Sequence, residues 1–464
     1  MGSNNTNERT SLVRNGTSAY GGYGGSDNIS SSNNNTRNIS ANGLRNGAVG
    51  DNKPPGHWTS WPLRVVQVTW ATVVRDYVNL LLVFVPLGLL AGKLDWPVTA
   101  TFTLNFFAII PLASLLSFAT EELAATMGQA LGGLLNATFG NAVELIVSII
   151  ALKNNQIRVV QASMLGSILS NILLVLGCCF FVGGLRFSQQ SFNSTVASTM
   201  SSLMTVSSAS LIIPATLYST LWGKENDDKQ HKDAKDNVLL VSRGTAIVLL
   251  ILYVMYLYFQ LRSHASLFEE VNDGLAEDSE AQQHDLRSTV AENGDVEAAE
   301  EPEEERVLSP LAAGVALVVV TVLVSFCADY LVDSIDGIVA QTGMSRTFIG
   351  LVLIPIVGNA AEHVTAVVVA WKDKMDLAIG VAIGSSLQIA LFVTPFLVIL
   401  GWIMHVPMSL RFEPFETVAF FISGLVVTFL IQDGKSNYLE GGLCLGMYVL
   451  FLFSCLSCFS DSRC

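Results

Sequence analysis

The chain has 464 residues, of which 51% are hydrophobic and only 14% charged, and its mean hydropathy is +0.49. Soluble globular domains carry roughly 25% charged residues, so this composition excludes an ordinary soluble protein and points to a polytopic membrane protein. The formal charge of −14 is local, because residues 269–305 hold 15 Asp and Glu against a single basic residue, Arg287, and the remainder is neutral.

Residues 1–56, rich in Asn, Ser, Gly and Thr, hold too little apolar surface to fold and read as a disordered tail. They lack the apolar stretch of a secretory signal. From His57 to Asp76 the chain carries Trp58, Trp61 and Trp70, residues suited to a membrane interface, so 57–92 reads as an interfacial segment followed by helix 1. Runs of about 20 apolar residues predict eleven helices, near 73–92, 98–119, 128–152, 159–185, 196–221, 243–261, 307–332, 347–371, 376–404, 412–432 and 437–459. The acidic stretch lies in a linker, 264–306, which reads as a solvated, self-repelling connection and has no EF-hand pattern. The seven cysteines sit in or beside apolar segments at no metal-ligand spacing and suggest no disulfide framework.

A polar word occurs twice inside these apolar runs, as Gly140-Asn141-Ala142-Val143-Glu144 and Gly358-Asn359-Ala360-Ala361-Glu362, 218 positions apart. At the same offset Gly166-Ser167 falls on Gly384-Ser385 and Leu169 on Leu387. A weaker echo, at an offset of 208, sets Ser117–Leu123 against Ser325–Leu331 and so matches Glu121 with Asp329. Internal duplication of this kind marks many transporter folds. The fold class expected is therefore an all-α membrane protein with helix 1 followed by two five-helix repeats, 98–261 and 307–459, joined by the acidic linker. Five crossings is an odd number, so the second repeat should lie inverted relative to the first. Lys153 and Arg158 oppose Lys372 and Lys374, and charge alone sets no orientation.

Residues three and four apart share a helix face, so Gly140, Asn141 and Glu144 form one stripe and Gly358, Asn359 and Glu362 its counterpart. Ionisable groups at bilayer depth are costly and mark ion pathways. Glycines allow close backbone approach and local opening of the helix. Two carboxylates, two amides and free carbonyls offer hard oxygen ligands, which suit calcium first and manganese second. The following helices add Ser163, Ser167, Ser170 and Asn171, then Ser385 and Gln388. For Ser163, Ser170 and Asn171, close packing and function stand as equal readings. His363 lies on the stripe of Asn359, as a proton carrier or a plain helix contact. Glu121, Asp329 and Asp333 form either an acidic layer nearer the surface or ordinary helix ends.

The doubled Gly-Asn-Ala-x-Glu word, the flanking Gly-Ser blocks and the central acidic segment resemble the cation/proton exchanger family, and most closely its vacuolar calcium/proton exchangers from fungi. The resemblance covers residues 57–459. It implies a multi-pass protein of the vacuolar membrane that exchanges calcium for protons without a cofactor, with no enzymatic activity and no nucleic acid partner. The lipid bilayer is its surrounding, and a homo-oligomer is compatible with it. It also implies that Glu144 and Glu362 bind calcium alternately with protons, that Asn141, Asn359, Ser167, Ser385 and Gln388 surround them, and that Glu121 and Asp329 serve cation or proton passage. One set of carboxylates cannot hold both a divalent cation and its protons, so exchange is competition at one site. A sodium/calcium exchanger shares the plan but should offer more hydroxyl and carboxylate ligands. A passive channel would need a ring of glutamates that two copies per chain make poorly. A membrane-embedded hydrolase would need a nucleophile or a metal motif, and none is present.

Overall fold

The computed structural model describes residues 77–222, 228–268 and 309–459. The expected tail, the interfacial tryptophans and residues 269–306 of the linker lie outside the described residues. In chain order the helices are α1 (Val78–Lys93), α2 (Val98–Thr126), α3 (Gln129–Phe139), α4 (Ala142–Lys153), α5 (Ile157–Arg186), α6 (Ser194–Trp222) and α7 (Asp228–Tyr258). They continue with α8 (Pro310–Thr342), α9 (Arg346–Gly358), α10 (Ala360–Trp371), α11 (Met375–Ile403), α12 (Pro414–Leu430) and α13 (Tyr438–Phe459). A short antiparallel ladder, β1 (Gln190–Ser191) with β2 (Lys435–Ser436), joins the loops before α6 and α13.

Among the described residues, seven helices are long and apolar enough to cross a bilayer. Two bent pairs bring that number up to nine if each is one span: α3 with α4, bent by 47°, and α9 with α10, bent by 59°. Both bends fall at the repeated Gly-Asn words. The remaining apolar helices, α1 and α12, are shorter.

Local chemistry accounts for the helix limits. Ser309 caps α8 by accepting from Ala312 N, with Pro310 in the first turn, a position where its missing N–H costs nothing. Glu413 and Glu416 form a capping box at the start of α12. The glutamate helices α4 and α10 end alike, at Asn155 (φ 59°) and Asp373 (φ 66°), which stand 218 residues apart. In both, the next residue's N–H closes a six-residue Schellman turn, Gln156 N to Ala151 O at 2.8 Å and Lys374 N to Val369 O at 3.0 Å. In α5 and α11 the helix widens into π turns at Ser170–Val175 and Ile389–Val393, just past the Gly-Ser blocks. Such turns are rare and concentrate at functional sites.

The most buried spans are α5 and α11, and they meet at matched positions, Ser386 Oγ lying 3.5 Å from Ile168 O. Close approach is enforced at Gly166, where a Cβ would collide with the Leu351 carbonyl of α9. The outer helices α7, α8 and α13 present Val254, Met255, Val318, Leu450 and Phe453 outward, as a lipid-facing surface requires. Thr99 at the start of α2 donates to Gln341 near the end of α8 at 2.8 Å, so these two helices, which pack side by side, run antiparallel. The linker expected from 264 is packed at its first residues: Phe268 is buried and meets Phe259 edge-on at 6.2 Å. Burial of that ring moves the start of any solvated connection to beyond Phe268.

Candidate functional site

Because α3 stops at Phe139 and α4 starts at Ala142, Gly140 and Asn141 form a bend between two half-helices, and Asn359 stands at the matching bend between α9 and α10. The flanking helical bonds persist, from Gly140 N to Asn136 O and from His363 N to Asn359 O, so it is the asparagine side chains that the bends present to the middle of the bundle. Glu144 and Glu362 each lie in the first turn of the following half-helix, where helix N-termini favour negative charge. Glu144 is 4% exposed and rests against the backbone of the other word, since a Cβ on Gly358 would stand 2.6 Å from its Oε1.

The side chains around the glutamates pair across the duplication. Ser385 Oγ donates to Asn141 Oδ1 at 2.9 Å, and Asn359 Nδ2 donates to Ser167 Oγ at 3.1 Å. Each asparagine is thus held by the serine of the other copy. Asn141 Nδ2 also donates to Gln388 Oε1 at 2.6 Å, and the Ser385 hydroxyl is within bonding reach of Glu362. Gly140 lies beside Gln388, whose Oε1 would be in ordinary contact, 3.7 Å, with a Cβ there.

His363 joins this network through α5. Its Nε2 lies 3.2 Å from Asn171 Oδ1 and 3.3 Å from Ser170 Oγ, while Asn171 Nδ2 donates to Ser385 Oγ at 3.1 Å. Of the two readings the sequence left equal, Ser170 and Asn171 thus touch the polar centre, whereas Ser163 bonds to Val160 O of its own helix. Glu121 of α2 is exposed and lies within electrostatic range of Glu362. Asp329 lies one turn from Asp333 on α8, and the two sense each other's charge. Glu121 and Asp329 therefore do not share one layer, since Asp333 is held at the opposite end of the bundle by Asn154.

Three buried oxygens at the centre, Glu144 Oε1, Glu362 Oε2 and Asn359 Oδ1, have no hydrogen-bond donor. Unpartnered buried acceptors are costly, and a cation is the species that would satisfy several at once. Among the described residues no three His, Cys, Asp or Glu side chains cluster as a metal site. The unpartnered oxygens thus belong to two carboxylates and one amide, hard donors of the kind a divalent cation takes.

The chain is 48% identical over 393 residues to the Vacuolar calcium ion transporter of Schizosaccharomyces pombe, covering 84% of this chain and 87% of that one. It is 42% identical over 388 residues to Vacuolar cation/proton exchanger 5 of Arabidopsis thaliana, covering 83% and 82%. The solved structure of native YfkE superposes with a TM-score of 0.63 at 33% identity, covering 82% of this chain and all but 1% of the other, 99% being matched. The sequence profile described as Sodium/calcium exchanger protein matches residues 97–262 and 312–456, stretches that contain both glutamate words. The chain belongs to the sodium/calcium exchanger protein family.

Proposed function

We propose that this chain is a secondary antiporter that exchanges calcium for protons across the vacuolar membrane, with manganese as a second cargo. The observation that carries this reading is the set of unpartnered oxygens on Glu144, Glu362 and Asn359, in a centre whose asparagines are held by serines from the opposite copy. The names of the relatives support the cargo and the membrane: one is a vacuolar calcium ion transporter, another a vacuolar cation/proton exchanger.

With each bent pair taken as one crossing and α1 and α12 included, the chain has eleven crossings: α1, then α2 to α7 and α8 to α13 as two five-crossing repeats. The antiparallel run of α2 against α8 supports their inversion. The Glu144 and Glu362 carboxylates hold either calcium or protons, and bound metal favours the ionised form. On the acidic side protonation expels the cation, and on the neutral side loss of the protons allows reloading. Each pH unit of gradient contributes about 1.4 kcal/mol per proton, enough to support about a tenfold calcium ratio per proton exchanged. Asn141, Asn359, Ser167, Ser385 and Gln388 shape the site, and Gly140 and Gly358 give it room. Glu121, Asp329 and His363 serve the path by which ions or protons arrive and leave. Access alternates as α2 and α8 move against the remaining helices.

The test is calcium uptake into sealed vesicles under an imposed pH gradient. Uptake is expected to collapse with a protonophore, to persist when sodium is replaced by choline, and to vanish in Glu144→Gln and Glu362→Gln variants that remain folded. Uptake near the normal rate in either variant would sink the reading.

A further inference from the structure

The α2/α8 pair is bound to itself and to its surroundings by different kinds of contact. Within the pair, Thr99 bonds to Gln341, and Val98 packs onto Gly337 so tightly that a Cβ there would stand 2.6 Å from its Cγ1. At mid-depth, the seam between the pair and the glutamate helices is apolar. Ile109 and Leu331 face Val147, Ile354 and Val357 across a narrow cleft that reaches Glu144. Such a seam has no directional bonds to hold one register.

The end of the bundle that carries Thr99 and Gln341 is fastened by polar links to α8. Asn154 Nδ2 donates to Asp333 Oδ1 at 2.7 Å. Gln156 Nε2 donates to both oxygens of Asp336 at 3.1 Å, and Arg346 Nε donates to Asp336 Oδ1 at 3.0 Å. These donors come from the loop after α4 and from the start of α9, so they join α8 to both glutamate-bearing segments. The opposite end is different: Glu121, about 33 Å along α2 from Thr99, is exposed and lies in electrostatic range of Glu362. The polar links thus gather at the Thr99 end, and Glu121 stands toward the other.

Asn154 stands about 15 Å along the helix from Glu144, too far for its partners to share a cation with that carboxylate. The links lie in water-exposed positions, where a hydrogen bond exchanges readily with solvent. That suits a fastening that opens in every cycle, and their directionality gives the apolar seam a defined closed register. We infer that Asp333 and Asp336, held by Asn154, Gln156 and Arg346, form a latch that keeps the cation site shut from this end. The inference rests on the exchanger reading, in which a site open at one end must be shut at the other.

Thiol accessibility tests the latch without requiring transport. In Val147→Cys protein reconstituted in vesicles, a membrane-impermeant maleimide added on the Asp333 side is expected to react slowly, after subtraction of the rate for the parent chain. Adding Asp333→Ala and Asp336→Ala removes the links to Asn154, Gln156 and Arg346 and should accelerate labelling about fivefold or more, the scale of losing a few exposed hydrogen bonds. The Asn154→Ala/Gln156→Ala pair, which cuts the links from the loop after α4 and leaves Arg346 on Asp336, should accelerate labelling by a smaller factor with the melting temperature retained. Asp333→Asn, which keeps an acceptor oxygen for Asn154, should stay close to the starting rate. Unchanged labelling in both double variants would overturn the latch, and so would equal acceleration by Asp333→Asn and Asp333→Ala. Failure of the exchanger reading shows separately, as calcium uptake that survives Glu144→Gln.

Discussion

Gly140 and Gly358 occupy the same place in the repeated word but not the same surroundings. A Cβ on Gly358 would stand 2.6 Å from Glu144 Oε1 and 3.1 Å from its Cδ. On Gly140 it would meet Asn136 O of its own preceding turn at 2.8 Å, and Gln388 Oε1 only at 3.7 Å. Gly358→Ala should therefore displace the Glu144 carboxylate and lower calcium uptake by about tenfold or more, as overpacking of about 1–3 kcal/mol implies. Gly140→Ala presses on a backbone carbonyl instead and should act through the bend, lowering the melting temperature more than Gly358→Ala does; thermal unfolding and initial uptake rates at equal protein level compare the two. The spacing of the words identified both glycines, yet it could not distinguish them. That difference depends on which side chain of another helix fills the gap, and helical periodicity assigns a face without naming its neighbour. Asn171 is a similar case: its stripe was legible, whereas its place between Ser385 and His363 comes from helices 192 or more residues away.

Arg158 at the start of α5 grips Glu416 at the start of α12 through both guanidinium arms, and its Nε donates to Thr347 Oγ1 at 3.2 Å. Glu416 is 3% exposed, so removing Arg158 leaves a buried carboxylate with the Glu413 N–H of its capping box but no countercharge. Arg158→Ala should destabilise the protein by about 3 kcal/mol. Arg158→Lys, which keeps the charge but loses the fork, should fall between, as thermal unfolding in detergent would measure. Hydropathy found the apolar part of nearly every helix because a bilayer imposes it. It misjudged ends where polar residues stay helical. The run expected at 98–119 continues to Thr126, because Glu121 and Glu122 look like an exit although Glu122 is buried. The run expected at 243–261 begins at Asp228, in polar residues that a hydropathy window ignores. The glycines signalled that the glutamate helices could open, but the bends of 47° and 59° depend on tertiary packing that no single segment encodes. The β1–β2 ladder, two residues on each side, is too short to leave a periodic trace.

At the scale of the whole chain, the central spans α5 and α11 each serve the glutamate helix of the other copy. Ser167 holds Asn359 and Ser385 holds Asn141. A chain cut between Phe268 and Ser309 should consequently give two fragments that transport nothing singly and recover calcium uptake when produced together. Uptake by either fragment alone would contradict the crossed arrangement. Replacing one half by a second copy of the other should also fail. Gln388, which bonds Asn141, is matched 218 positions earlier by Ser170, and Asn171 is matched by Ile389, so neither half contains the full set of partners. The crossed pairs also bear on how the two halves diverge over time. A change at Ser385 removes a partner from the first half, and a change at Ser167 removes one from the second, so a compensating change must arise in the opposite half. Descendants of a duplicated segment usually drift independently; here each is the constraint under which the other varies.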